Sequence, residues 1–253
     1  MTAWWGQTEA HADHAARMKL YLSSMMIGDH SDRLLAMAGG QGSPMAIITN
    51  ALDYIPLPDQ LAHARDSFDP MLYFGRHGFD PSPIDLRLYF GRPSTLKEVL
   101  SRHRVIWSLG GNAFLLRHAM RESGFDKIIV DLLDDGVVYS GWSAGACVAG
   151  TSLRPISLMD DPRRPAPGYP AAEPIWEGLG LAPFAIIPHY QSNHSEADAA
   201  ERALIWATAN GIESVGLRDG EVVICDGGDV TVLQSNGDLV LSATAAFPHS
   251  LNR

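Results

Sequence analysis

The chain has 253 residues, a formal net charge of −10 and two cysteines, Cys147 and Cys225. It carries no dense Lys/Arg run and no apolar run of membrane-spanning length, which excludes nucleic acid and membrane as expected partners. Two thiols make no disulfide framework, so a reducing, cytoplasmic setting is expected.

An apolar fraction of 46% is enough for a full core, and the length suits one large α/β domain. Residues 1–17 are polar and rich in His and Ala, without the basic start and apolar middle of a signal peptide. They are expected to be an extension outside the core, with Met18 as a candidate start, and 18–253 to be a single domain.

From Met18 onward, short apolar runs alternate with helix-like stretches. Strands are predicted at Lys19–Ser23, Met45–Thr49, Asp85–Phe90, Val105–Leu109 and Val137–Ser140. Helices are predicted at Asp32–Met37, from about Pro58 to Phe74, at Thr95–Arg102 and from Ala113 to Glu122. Prolines crowd Ser152–Pro183, which predicts a long irregular connection of the kind that serves function. A strand at Ala185–Pro188 and a helix at Glu196–Asn210 follow. Ser214–Ser242 then reads as short strands with Asp-Gly and Asn-Gly turns, suited to antiparallel hairpins at a sheet edge. Alternating strands and helices imply a mostly parallel, doubly wound sheet covered on both faces. Ligands of such sheets bind outside the carboxyl ends of the strands.

Three strand ends carry chemistry. Gly141-Trp142-Ser143-Ala144-Gly145 follows a strand and opens a helix, the context that makes Gly-x-Ser-x-Gly a nucleophile elbow. The turn leaves no room for side chains beside Ser143, and the helix N-terminus offers N–H groups to a developing oxyanion. Leu109-Gly110-Gly111-Asn112 ends another strand; its N–H at Gly111, with that of Ala144, would form an oxyanion hole. It is too short for a Gly-x-Gly-x-x-Gly dinucleotide fingerprint, and no cofactor is expected. Pro188-His189-Tyr190 ends the strand at Ala185, which places His189 on the same edge as a base for Ser143. His194 lies close behind His189, but no acidic partner at metal spacing accompanies the pair, so no metal is expected. For the orienting acid, Asp219 closes the run Ser214–Arg218; Asp198, Glu196, Asp226 and Asp229 are the alternatives.

Together, Gly110-Gly111-Asn112, Gly141–Ala146, Pro188-His189-Tyr190 and Gly216–Gly220 occur in the order found in the peptidase E family, which the chain resembles from about Met18 to Leu241. That family holds α-aspartyl dipeptidases, and its fold is similar to that of class I glutamine amidotransferases (flavodoxin-like), with serine at the elbow. The resemblance implies Ser143 as nucleophile, His189 as base and Asp219 as acid, where the family's dipeptidases carry Glu. It implies a short peptide as substrate, and a homodimer or higher homo-oligomer is the assembly to look for. In the dipeptidases an arginine early in the helix after the catalytic histidine pairs with the substrate's N-terminal aspartate. The corresponding helix here places Asp198 at that point and Arg202 one turn on, so Asn112, Asp198 and Arg202 are the expected substrate-binding residues. A carboxylate there predicts poor cleavage of Asp-Xaa dipeptides.

Two other readings compete. An α/β-hydrolase esterase would use Ser143, one of Asp219, Asp226 or Asp229, and His249. A non-catalytic binding protein on the same scaffold is the other.

Overall fold

The computed structural model describes residues 18–234 and 237–239. The expected extension 1–17 and His249 lie outside the described residues.

The first strand is β1 (Lys19–Ser23), followed by helix α1 (Ser31–Ala38) and β2 (Ser43–Ile48). Two helices, α2 (Leu57–Asp66) and α3 (Pro70–Arg76), stand where the sequence predicts one. The break is local chemistry: the Asp69 carboxylate accepts from the N–H groups of Met71 (2.7 Å) and Leu72 (3.2 Å), and Pro70 opens the new helix.

The third strand, β3, is Phe79–Ile84 rather than Asp85–Phe90. Pro81 and Pro83 hide it in the sequence, but β3 is an edge strand, where a missing N–H is tolerated. Asp85 instead caps a 3-10 turn at Leu86–Tyr89, accepting from Arg87 N at 3.0 Å, and the apolar Leu86 is buried without being in a strand. Next come α4 (Pro93–Leu100), β4 (Val105–Ser108), α5 (Ala113–Ser123) and α6 (Phe125–Asp134). The last was not anticipated, although Ile128, Ile129, Leu132 and Leu133 bury one face of it.

The remaining elements are β5 (Val138–Trp142), the short α7 (Ala144–Cys147), β6 (Ala185–Ile187), α8 (Ala197–Ala209), β7 (Ser214–Gly216), β8 (Val222–Asp226), β9 (Asp229–Gln234) and β10 (Gly237–Leu239). The main sheet runs β10-β9-β8-β1-β5-β4-β2-β3. The run from β1 to β3 is parallel; β8, β9 and β10 add the expected antiparallel extension against β1. The strand that leads to His189 is not part of that sheet. β6 pairs in parallel with β7 alone, a correction to the expected single edge.

Alternate residues of the parallel strands bury into opposite faces, as the two-residue period of a strand demands. Tyr21, Met45, Ile47, Trp107 and Val138 join α1 and α3 on one side. Leu20, Leu22, Ala46, Ile48, Ile106 and Tyr139 join α4 to α8 on the other. With both faces covered, the strands read as continuous apolar runs. The carboxyl ends of β1, β4 and β5 come out side by side. No helix among the described residues is long and apolar enough to cross a membrane.

Candidate active site

Ser143 stands between β5 and α7 at φ 47° and ψ −115°, outside the regions that ordinary residues occupy. Its flanking glycines are required by space. A Cβ on Gly145 would lie 2.1 Å from the Ser108 carbonyl oxygen, and one on Gly141 would lie 2.8 Å from it. The elbow is pinned from β1: Ser143 N donates to the carbonyls of Ser23 (3.2 Å) and Ser24 (3.1 Å). Ala144 begins α7, so its N–H has no acceptor within the helix.

The second loop packs against the elbow. A Cβ on Gly110 would meet the Trp142 ring nitrogen at 2.3 Å, and Gly111, at φ 134°, lies against the Ala51 carbonyl. Gly110, Gly111 and Ser143 line one cavity of about 370 Å³. Asn112 also lines it, but its side chain is already committed. Oδ1 accepts from Leu115 N at 2.8 Å as the cap of α5, and Nδ2 donates to the Asp161 carbonyl at 3.0 Å. Its task is to tie the Pro-rich connection to the floor of the site.

His189 follows β6 at φ 63° and is 2% exposed. Its Nδ1 donates to Asp219 Oδ1 at 2.8 Å, since an ionised carboxylate only accepts. That leaves Nε2 free at the cavity wall. No hydrogen bond joins Ser143 Oγ to His189 among the described residues, and such bonds commonly tighten only around substrate.

Asp219 receives a second hydrogen bond, from Ser24 Oγ at 2.8 Å, and its N–H donates to Ser192 Oγ at 2.8 Å. Burial pushes its carboxyl up. The bonds from His189 and Ser24, with the electrostatic attraction of the two nearby imidazoles, outweigh burial and hold it below the ordinary value. Ser24 also accepts the His189 backbone N–H at 2.8 Å, so one hydroxyl at the end of β1 braces both partners. Sequence reasoning missed Ser24. The signal was its place directly after a strand at the ligand-binding edge.

Of the other expected substrate residues, Asp198 and Arg202 are exposed on α8 and line no part of this cavity. The carboxylate that does reach it is Glu196, just before α8, whose Oε2 lies 3.9 Å from His189 Nε2. The helix register explains the difference: α8 buries Ala200, Ala203 and Ala207, which turns Asp198 and Arg202 to solvent. Asp160 and Asp161, from the irregular connection, complete the acidic lining. Arg164 opposes them, with its guanidinium 4.5 Å from the centre of the Tyr54 ring. Cys147 is buried; burial first, then Asp160 and Glu196, raise its thiol far above the ordinary value, so it offers no thiolate.

Asp160 is the perturbed acid of the cavity. Burial raises its carboxyl to about 7; the hydrogen bond from Ala113 N (2.7 Å) and nearby His189 pull it back, while Glu196 adds to the rise. The folded chain therefore holds this proton more tightly than the unfolded chain does. Between about pH 4 and 7, unfolding releases it, so its contribution to stability falls as pH rises through that window. Asp160→Asn is expected to flatten that fall. Melting temperatures of both proteins at pH 5 and pH 8 check it, and an unchanged difference between the two pH values in the variant would refute it.

Comparison with known proteins bears on the family and the fold. The model of peptidase family S51 matches residues 69–233, more than half of the chain. A peptidase E of Streptomyces coelicolor is 33% identical over 148 residues, which cover 56% of each chain. A peptidase E of Shewanella sp. (strain MR-4) is 27% identical over 223 residues, 86% of this chain and 87% of that one. The chain thus spans about half the length of some curated relatives it matches and most of others. A solved structure of a peptidase E candidate from Listeria monocytogenes EGD-e superposes with a TM-score of 0.67 at 19% identity, over 86% of this chain and 98% of that one. A peptidase from an acI-B1 Actinobacterium gives 0.61 at 14%, over 89% and 98%. Both likenesses concern the fold.

Proposed function

We propose, from the premise that this chain belongs to peptidase family S51, that it is a serine peptidase acting on short peptides through an acyl-enzyme on Ser143. The observation that carries the reading is the His189–Asp219 pair, whose free Nε2 faces the cavity into which the elbow opens. His189 Nε2 takes the Ser143 proton as Oγ attacks the scissile carbonyl, and then gives that proton to the leaving amine. Water, deprotonated in turn by His189, releases the acyl group. The N–H groups of Gly111 and Ala144 receive the oxyanion at each stage. Asp219 keeps the proton on Nδ1 and stabilises the imidazolium. The bond to His189 favours this reading over an esterase built on His249, because it supplies the base and its acid together.

The cavity also speaks to specificity. Asp161 and Glu196 face it against Arg164, and Asp160 adds charge only as pH rises through about 7, so a cationic group such as a free amino terminus or a basic side chain is the complementary ligand. Poor cleavage of Asp-Xaa dipeptides is still expected, with Glu196 in the place first assigned to Asp198. A dipeptide library read by mass spectrometry, with fluorophosphonate labelling of Ser143, tests both points. Labelling with Lys-Leu and Leu-Leu cleaved faster than Asp-Leu is the expected result. A strong preference for Asp-Leu overturns the specificity, and absence of labelling overturns the mechanism.

A further inference from the structure

The sequence shows His189 and His194 without an acidic partner, but the structure supplies one. The potential ligand atoms of His189, His194 and Glu196 all lie within 4.8 Å of one another. We propose that these three side chains form a zinc site which, when filled, switches the peptidase off. Two imidazoles and one carboxylate are a donor set suited to Zn²⁺, and a poor one for Mg²⁺ or Ca²⁺, which take oxygen ligands.

The site is partly built. His189 Nε2 lies 3.9 Å from Glu196 Oε2, whereas two ligands on tetrahedral zinc stand roughly 3.3 Å apart, given bonds of about 2.0–2.1 Å. The Nδ1–H of His189 is held by Asp219 at 2.8 Å, the carboxylate–histidine arrangement that fixes a metal-binding tautomer and strengthens the donor. Asp161 also lines the cavity and adds negative charge near the site.

One movement is required. The rings of His189 and His194 are stacked, with centroids 3.8 Å apart and planes 10° apart, so their in-plane lone pairs run side by side. One ring must turn. His189 is fixed at Nδ1 by Asp219 and at its backbone N–H by Ser24. His194 is half-buried and its Nδ1 accepts one 3.2 Å bond, from Glu196 N, so it is the ring that turns.

Zinc on Nε2 occupies the lone pair that would take the Ser143 proton. The switching effect therefore rests on the function proposed above, while zinc binding does not. The experiment separates the two. Zinc is titrated into the full-length Ser143→Ala protein against a chromophoric chelator; the same is done for that protein with His194→Asn or Glu196→Gln. One equivalent should bind, and each second substitution should weaken it by about tenfold or more. Magnesium should not compete. Affinity unchanged in both double variants overturns the site. In parallel, fluorophosphonate labelling of the wild-type chain is followed with zinc and after chelation. Labelling that stops with zinc and returns with chelator supports the switch. Labelling that persists at saturating zinc overturns the switch and leaves the site standing, and a chain that is never labelled, with or without zinc, sinks the serine peptidase reading instead.

Discussion

Ser143→Ala is expected to abolish peptide hydrolysis, by on the order of 10⁶-fold in kcat, and to leave the fold intact. The loss follows from chemistry, since Cys147, the thiol nearest in the chain, cannot replace the serine: it is buried, with its thiol held protonated. The stability follows from geometry. Ser143 Oγ makes no hydrogen bond among the described residues, and the elbow is held by its backbone N–H and by the packing of Trp142 against Phe68, Phe74 and Trp107. A residue at φ 47° and ψ −115° also stores strain, about 1–3 kcal/mol at such positions. Ser143→Gly should release more of it than the roughly 0.5–1 kcal/mol that glycine adds in chain entropy. The glycine variant should then be as inactive as the alanine variant yet melt higher than the wild type. Purified variants compared by turnover and by thermal melting decide this. Wild-type turnover in Ser143→Ala removes the central assignment, and a lower melting temperature in Ser143→Gly removes the argument from strain.

What was legible in the sequence is what a strand end imposes locally. Gly141 and Gly145 are readable as an elbow because the Ser108 carbonyl excludes any side chain there, and Gly110-Gly111 because Trp142 and Ala51 do the same. His189 and Asp219 were readable because each follows a short apolar run, although those runs form a separate two-stranded pair. The unread parts depend on contacts distant in the chain. Ser24 matters only because β1 ends beside β7, and Asp160 because the Pro-rich connection folds back onto the start of α5. Glu196 and Asp198 are indistinguishable by spacing alone. The alanine face of α8 decides between them, and the packing of that face cannot be seen from the carboxylates themselves. The misplaced third strand has the opposite cause: Pro81 and Pro83 are strong local signals against a strand, overruled by the freedom of an edge.

The second large effect concerns the acid. Asp219→Asn is expected to lower kcat by about 10³- to 10⁴-fold with the fold intact, and His189→Ala to cost about as much as loss of Ser143. The carboxylate accepts two hydrogen bonds at Oδ1, from His189 Nδ1 and from Ser24 Oγ, each 2.8 Å. An amide can present its oxygen, which keeps both bonds but loses the charge that stabilises the imidazolium, or present its NH₂ to the ring. In the second case Nδ1 becomes the acceptor, the proton moves to Nε2, and the nitrogen facing Ser143 can no longer take one. Geometry survives while the tautomer is wrong, so the loss should fall on kcat more than on KM. Ser24→Ala removes one of the two bonds and the acceptor for the His189 N–H, and should fall between wild type and Asp219→Asn. The pH dependence of stability gives an independent check. The folded carboxyl titrates below its ordinary 3.8, so its contribution is present above that value and is lost as pH falls through the folded value. Asp219→Asn should thus melt lower than wild type at pH 7, with the difference shrinking below about pH 3.8. Steady-state kinetics and melting curves across that range provide the test. An Asp219→Asn enzyme of normal kcat, beside a Glu196→Gln enzyme that is dead, would move the acid of the triad to Glu196.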